Sequence, residues 1–240
     1  MRDFNQEFQG NERKYAYDFD HVLRRYMIRA LRPAFVPGRA LELGCFEGEM
    51  TALLLDEFGD VTVIEAASDL VARASARVGA RARFVCGRFE DVELDETYDN
   101  LFLVHTLEHL DEPVGVLRRI RRWMSPGARL FVVVPNANAP SRRIAVKMGL
   151  ITHNAAVTPA ERQHGHRITY SLDTLERDVR AAGFAVAQRG GVFFKPLANY
   201  QFDKLLQTDI IGEDYLEGCF ALGMEYPDLC ASIYIVCAAS

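Results

Sequence analysis

The sequence predicts an α/β fold in which a mostly parallel sheet carries helices on both faces. Between residues 40 and 136, short apolar runs alternate with segments of helical periodicity, the order found in doubly wound sheets. The runs are continuous rather than alternating, as in Leu130–Val134, which indicates strands that are buried on both faces. A glycine-bearing turn, Gly44 to Gly48, joins the first strand to the helix that follows it.

The expected domain has four parts. Residues 1–37 form an N-terminal helical cap, in which Phe19 to Leu31 follow helical spacing. Residues 38–136 form a cofactor-binding core, and residues 137–170 break the rhythm and are expected to form a lid insertion. Residues 171–240 complete the sheet. In this last part a helix runs from Ser171 to Ala182, the strands cover Phe184–Gln188 and Ser232–Cys237, and a helical stretch begins at Tyr200.

Alternating strands and helices make up the core. The predicted strands are Ala40–Leu43, Val61–Ile64, Arg83–Cys86, Tyr98–Val104 and Leu130–Val134. The predicted helices are Met50–Phe58, Leu70–Val78 and Val114–Met124. Glycine and proline mark the ends of these helices, at Gly59, Gly79 and Pro126-Gly127.

Composition and net charge restrict the classes of function that the chain can have. The chain has 240 residues, of which 49% are hydrophobic and 25% are charged, a balance typical of one globular domain. Its formal net charge of −5 argues against a nucleic-acid partner bound by broad phosphate neutralisation. The five cysteines form no Cys-x-x-Cys pair, which favours a reducing cytoplasm. We expect no membrane partner, because the N-terminus lacks a signal core and no apolar run reaches roughly 18 residues. The sequence leaves the oligomeric state open, with a homodimer as one alternative.

The strongest functional signal is the turn Glu42-Leu43-Gly44-Cys45-Phe46-Glu47-Gly48. Glycine lets a ligand approach the backbone without a Cβ in the way, and the helix N-terminus offers free N–H groups. Glu65 ends the second strand about 20 residues later, where a carboxylate can accept hydrogen bonds from ribose hydroxyls. The two features together predict a nucleoside-binding site.

This turn resembles motif I of class I S-adenosylmethionine-dependent methyltransferases, E/D-x-G-x-G-x-G, with Phe46 in place of the middle glycine. Later segments are similar to further motifs of that family: Phe84–Asp91, Tyr98–His109, Trp123–Ala128 and Ala181–Phe184. The resemblance is to the small-molecule subgroup that includes ubiquinone and sugar O-methyltransferases. It implies a Rossmann-like, seven-stranded sheet with an antiparallel last strand, and S-adenosylmethionine as the cofactor.

The resemblance also implies which residues contact the cofactor. They come from the glycine turn, the ends of the next strands and the N-terminal segment. The candidates are Glu42, Gly44, Cys45, Phe46, Gly48, Glu65, Ala66, Arg88, Phe89, His105, Leu107 and Tyr17. Arg88 stands where many relatives have an aspartate, and a guanidinium cannot accept from the adenine amino group. Backbone groups and Phe89 would then hold the adenine.

The segment His105-Thr106-Leu107-Glu108-His109 raises the question of a metal. It matches a zinc-protease pattern literally, but it follows a strand instead of lying within a helix. Ubiquinone-type O-methyltransferases carry E-x-x-E-H here, associated with a divalent ion, and His105 replaces the first glutamate. Because magnesium prefers oxygen ligands, we expect no metal.

Two histidines are the candidate catalytic bases, His109 and His166, since imidazole titrates near neutral pH. Candidate substrate contacts are Tyr15, Asn136 and His164. Purely structural roles stay open: a packed His109, a lid buttress at His166, and a hydrophobic staple at Tyr15 and Tyr17.

The predicted reaction is methyl transfer to a hydroxyl, or with less support an amine, of a small-molecule acceptor such as a sugar or a secondary-metabolite intermediate. Two alternatives remain. A non-catalytic nucleoside-binding scaffold is favoured by Phe46 and Arg88. An NAD-dependent oxidoreductase is disfavoured because the third glycine of its fingerprint is missing.

Overall fold

The computed structural model describes Asn5 and residues 18–239, and these contain a seven-stranded sheet. Its strands are β1 (Ala40–Leu43), β2 (Val61–Glu65), β3 (Arg83–Cys86), β4 (Tyr98–Val104), β5 (Met124–Pro135), β6 (Phe184–Phe194) and β7 (Cys230–Ala239). The strand order is β3-β2-β1-β4-β5-β7-β6. Strands β1 to β5 pair in parallel, and β7 runs antiparallel to β5 and β6. The predicted Rossmann-like, mostly parallel sheet is therefore confirmed.

Helices connect the strands and precede the sheet. They are α1 (Asp18–Leu31), α2 (Glu49–Leu55), α3 (Ser68–Val78), α4 (Pro113–Ile120), α5 (Pro140–Lys147), α6 (Pro159–Gln163), α7 (Leu172–Ala181), α8 (Asn199–Leu206) and α9 (Glu213–Glu225). Within the part of the chain that the structure describes, no helix has both the length and the apolar character of a membrane span. Tyr15 and Tyr17 lie outside the described residues.

Each face of the sheet carries its own apolar core, as the continuous apolar strands predict. Side chains alternate along β4, so that Phe102 packs on one face and Leu103 on the other. On the first face Phe102 stacks on Phe131 of β5, with ring centroids 4.8 Å apart. Helix α1 packs on this face through Met27, whereas α4 and α7 cover the opposite face.

Several boundaries differ from the sequence prediction, and those of β5 and β6 differ most. Helix α4 ends at Ile120, and a short 3₁₀ turn leads into β5, which begins at Met124 instead of Leu130. Strand β6 continues past Gln188 to Phe194, because it pairs with β7 along its whole length up to the contact of Phe194 with Cys230. Pairing with a distant strand, which local periodicity does not report, sets both limits.

The direction of the strands determines where a site can form. The carboxyl ends of β1, β2, β4, β5 and β6 lie at one edge of the sheet because these strands are parallel. In open α/β sheets, ligands bind in the crevice outside this edge. The residues that follow these strands, including the segment with α5 and α6, are therefore the ones to inspect.

Candidate functional site

A cavity of about 370 Å³ opens at the carboxyl edge of the sheet. Its wall is built from the glycine turn after β1, the ends of β2, β4 and β6, helix α1 and the segment after α6. Most of the residues predicted for the site line it. They are Glu42, Gly44, Cys45, Phe46, Glu65, Ala66, Phe89, His105, His109, His164 and His166.

The turn after β1 has the backbone shape that its glycines suggest. Gly44 has φ +82°, and its N–H donates to the carbonyl of Ile64 at 2.8 Å. A Cβ at Gly44 would lie 2.6 Å from Oγ1 of Thr106, so the turn passes too close to the end of β4 for a side chain. Phe46 also adopts a left-handed conformation, with φ +50°, at the position of the family's middle glycine. The turn thus keeps its shape despite the substitution, at a cost of about 1–2 kcal/mol.

Glu65 ties the end of β2 to this turn. Its Oε2 accepts from the N–H of Cys45 at 3.1 Å, and its Oε1 accepts from the N–H of Ala67 at 3.0 Å. Burial raises the pKa of Glu65, and these backbone donors oppose the rise. Each carboxylate oxygen can accept a second hydrogen bond, and the side chain lines the cavity. A pair of vicinal hydroxyls, as in ribose, suits this arrangement.

Glu42 lies beside the turn, almost fully buried on the cavity wall. Its Oε2 accepts from Oγ1 of Thr51 at 2.5 Å, whereas its Oε1 has no hydrogen-bond partner among the described residues. Burial raises the pKa of Glu42 to about 8, so the side chain is mostly protonated at neutral pH. Such an atom at a cavity wall can bond to water or to a polar group of a ligand. Glu42 and Glu65 thus place two acidic side chains on the wall of one cavity.

His105 directly follows β4 and lines the cavity. It has φ +49°, and its Nε2 lies 2.9 Å from Oγ of Ser232. Burial lowers the pKa of His105 to about 3, so the ring is neutral at physiological pH. A neutral ring of this kind can position a ligand, but it is a weak base.

Glu108, His109 and His166 form a cluster on the same wall. The ring centroids of His109 and His166 are 4.6 Å apart, and Nε2 of His109 lies 3.9 Å from Oε1 of the buried Glu108. The backbone holds the cluster together, because the N–H of Arg167 donates to the carbonyl of Glu108 at 2.8 Å. The segment after α6 is thus fixed to the end of β4, and both predicted bases face one cavity.

The cluster also has the spacing of a metal site. One donor atom from each of Glu108, His109 and His166 lies within 4.8 Å of the others. Two imidazole nitrogens and one carboxylate suit zinc, iron or manganese better than magnesium. His105, which replaces the glutamate of the similar E-x-x-E-H motif, does not belong to this group. The expectation of a metal-free site stays a prediction.

Two residues predicted to contact the cofactor instead pack inside the protein. Leu107 is fully buried in the core on the α4 face and does not line the cavity. Gly48 has φ +81°, and a Cβ there would lie 2.9 Å from Cα of Ala74. Gly48 therefore allows the close approach of α2 and α3, and its contact is with a helix.

Two further predicted contacts have their side chains engaged elsewhere. Arg88 forms ion pairs with Glu90 and Asp91 and is not part of the cavity wall. The side chain of Asn136 is buried, and its Nδ2 donates to the carbonyls of Asp228 and Cys230, both at 2.9 Å. Asn136 therefore holds the start of β7 in place, so the prediction of a substrate contact does not match its position.

The cavity wall includes charged and polar residues that the sequence analysis missed: Asp20, Arg24, Glu161, Lys195 and Asn199. The sequence does contain a signal for Asp20 and Arg24, because they lie at helical spacing beside the apolar Leu23 and Met27 of α1. A signal also existed for Lys195, which is the first residue after β6 at the ligand edge of the sheet. No local pattern identifies Asn199, which meets Asp20 across 179 residues of sequence.

Comparisons with known proteins identify the family of the chain. A family model described as a methyltransferase domain matches residues 15–189. The chain is 27% identical to the ubiquinone biosynthesis O-methyltransferase of Aeromonas salmonicida, over 67% of this chain and 68% of that protein.

Solved structures show the same fold. An S-adenosylmethionine-dependent methyltransferase of Thermotoga maritima superposes with a TM-score of 0.63 and 18% identity, covering 99% of this chain and 96% of that one. The glycopeptide N-methyltransferase MtfA, solved with S-adenosylhomocysteine, superposes with a TM-score of 0.59 and 17% identity, covering 91% and 90%.

Proposed function

This chain belongs to the class I S-adenosylmethionine-dependent methyltransferases, and we propose that it methylates an oxygen atom of a small metabolite. The observation that carries the proposal is the position of His109 and His166. Both rings line the cavity that also contains Gly44 and Glu65, so a base and the cofactor contacts share one enclosure. A hydroxyl of a sugar or of a secondary-metabolite intermediate is the acceptor that we favour.

An oxygen acceptor has support from the relatives as well as from the site. The ubiquinone biosynthesis protein of Aeromonas salmonicida is by name an O-methyltransferase. A hydroxyl loses its proton during or after methyl transfer, so a nearby base accelerates the reaction. The N-methyltransferase MtfA shares the fold at 17% identity, which says nothing about the acceptor of this chain. An amine is the second candidate acceptor.

Residues of the chain have separable tasks in this reaction. When bound, S-adenosylmethionine supplies a methyl group activated by a positively charged sulfur. In this proposal Glu65 and the turn at Gly44 hold the nucleoside, and the neutral His105 is a further part of the same cavity wall. The chain thereby aligns the two reactants, which is the main contribution to a methyl transfer.

The proton of the acceptor passes to an imidazole in this proposal. His109 Nε2 lies 3.9 Å from Oε1 of Glu108, so the ring has a carboxyl group beside it. His166 stands edge-on to His109, 4.6 Å away, and offers a second base on the side of the lid segment. Only one ring needs to take the proton, and the other then positions the acceptor.

A methyl-transfer assay tests the proposal. Purified protein is incubated with S-adenosylmethionine carrying a labelled methyl group and with matched acceptors, such as catechol and 2-aminophenol or a sugar and its amino-sugar analogue. We expect label in the ether product of the hydroxyl compounds, and loss of that label in the His109→Ala, His166→Ala double variant. Transfer to amines alone contradicts the oxygen assignment. Binding of the cofactor without transfer to either class supports the scaffold alternative.

A further inference from the structure

A lysine lines the cavity from a strand that is remote in the sheet from the strand of the ribose contact. Lys195 directly follows β6, whereas Glu65 ends β2, and both line the same cavity. In the strand order β1, β4, β5 and β7 separate these two strands, which corresponds to roughly 24 Å across the sheet at about 4.8 Å per strand. The N–H of Ser141 donates to the carbonyl of Lys195 at 3.2 Å and fixes its backbone to α5. Lys195 therefore belongs to the acceptor end of the cavity.

Among the described residues, the ammonium of Lys195 has one side-chain hydrogen-bond partner. Its Nζ donates to Oδ1 of Asn199 at 2.6 Å, and Nδ2 of Asn199 donates to Oδ1 of Asp20 at 2.8 Å. The amide of Asn199 therefore links Lys195 to Asp20, whose charge also acts on the lysine. An ammonium carries three N–H donors, and within residues 18–239 one hydrogen bond to a side chain accounts for one of them.

Two other charged residues of the cavity wall, Arg24 and Glu161, form ion pairs, whereas the charge of Asp20 acts on Lys195. Arg24 forms an ion pair with Glu49 at 2.6 Å. Arg142, whose charge also acts on Lys195, is paired with Glu161. Burial lowers the pKa of Lys195 to about 8, which still leaves the side chain mostly protonated at neutral pH. Lys195 is half-buried and forms no direct ion pair within residues 18–239, so an anionic ligand group would stabilise its charge.

We propose that Lys195 binds a carboxylate group of the methyl acceptor, so that the acceptor is a hydroxylated carboxylic acid. The proposal rests on the methyl-transfer function proposed above. One ammonium suits a singly charged carboxylate better than a doubly charged phosphate, particularly with Asp20 close by. The carboxylate accepts two hydrogen bonds from Lys195, and the hydroxyl to be methylated then points toward the centre of the cavity. The neutral amide of such an acid lacks the charge that the site binds.

Benzoate and benzamide test this idea, because they share their shape and differ in charge. Each is titrated into protein loaded with S-adenosylhomocysteine, and the lysine signals are followed by NMR with ¹³Cε-lysine labelling. The chain has four lysines, Lys14, Lys147, Lys195 and Lys204, and a Lys195→Met spectrum assigns the signal. We expect benzoate to bind at least about tenfold more tightly than benzamide, the scale of one charge-assisted hydrogen bond. Benzoate should also raise the pKa of Lys195.

Variants separate this proposal from its rivals. Lys195→Met should abolish the preference for benzoate, whereas Lys204→Met, on the exposed side of α8, should retain it. Equal binding of the two probes, or a preference that survives in Lys195→Met, overturns the proposal. A pKa of Lys195 that falls or does not move with benzoate also overturns it and favours a general base that works as the free amine. Failure of the methyl-transfer function is seen separately, as the absence of labelled product in the methyl-transfer assay described above, which does not depend on the benzoate titration.

Discussion

Replacing Glu65 by glutamine is expected to weaken nucleoside binding through the ribose hydroxyls. Glu65 is anchored by the N–H groups of Cys45 and Ala67, at 3.1 and 3.0 Å, so its position does not depend on the ligand. Glutamine keeps one acceptor oxygen and loses the negative charge. Its amide NH₂ takes the place of the second oxygen and cannot accept a hydrogen bond from a ribose hydroxyl or a backbone N–H. A hydrogen bond to a charged group contributes about 1.5–3 kcal/mol. The loss of one such bond raises the Kd by about 10- to 150-fold.

The assay compares adenosine with 2′,3′-dideoxyadenosine by calorimetric titration of wild type and Glu65→Gln. Adenosine should lose affinity in the variant by the factor given above, whereas the dideoxy compound, which lacks both hydroxyls, should bind the two proteins alike. Glu47→Gln is the matched control, since Glu47 belongs to the same turn, pairs with Arg73 at 2.8 Å and does not line the cavity. An unchanged Kd for adenosine, or equal losses for both ligands, would refute the ribose contact.

Three further predictions follow from the cavity and the core beside it. Burial raises the pKa of Glu42 from 4.5 to about 8, so its contribution to stability is complete below pH 4.5 and is lost as the pH rises toward 8. Glu42→Gln should therefore flatten the fall of Tm across this window, and a parallel Tm profile would contradict the burial argument. His109→Ala and His166→Ala should each lower turnover and leave the Kd of S-adenosylhomocysteine unchanged, with the exposed His153→Ala as control; full turnover in both variants removes the base assignment. Leu107→Ala should lower the free energy of unfolding by about 2–5 kcal/mol without changing the Kd of S-adenosylhomocysteine. Weaker binding of S-adenosylhomocysteine at an unchanged Tm would show instead that Leu107 contacts the ligand.

Local sequence patterns predicted the part of the site that is built from neighbouring residues. The turn from Gly44 to Gly48 and the acid at Glu65 each follow a strand directly, so strand direction alone brings them to one edge. Positive φ at Gly44 and at Phe46 shows that the turn geometry matches the motif it resembles. The family, the fold and the cofactor were predictable for the same reason.

Side-chain direction and long-range contacts were not predictable in this way. Leu107 stands two residues after His105, yet a short 3₁₀ turn at this point directs it into the core. Spacing in the sequence did not show that Arg88 would pair with neighbouring acids. The chain of contacts from Lys195 through Asn199 to Asp20 joins the end of β6, α8 and α1, and only the folded sheet brings these elements together.

Calorimetric titration of the wild-type protein with S-adenosylhomocysteine, with NAD as the control ligand, tests the central claim most directly. The cavity formed by Glu42, Gly44 and Glu65 predicts micromolar binding of S-adenosylhomocysteine at one site per chain and no detectable heat with NAD. Binding of NAD, or the absence of any binding of S-adenosylhomocysteine, would contradict the assignment of this cavity to the cofactor.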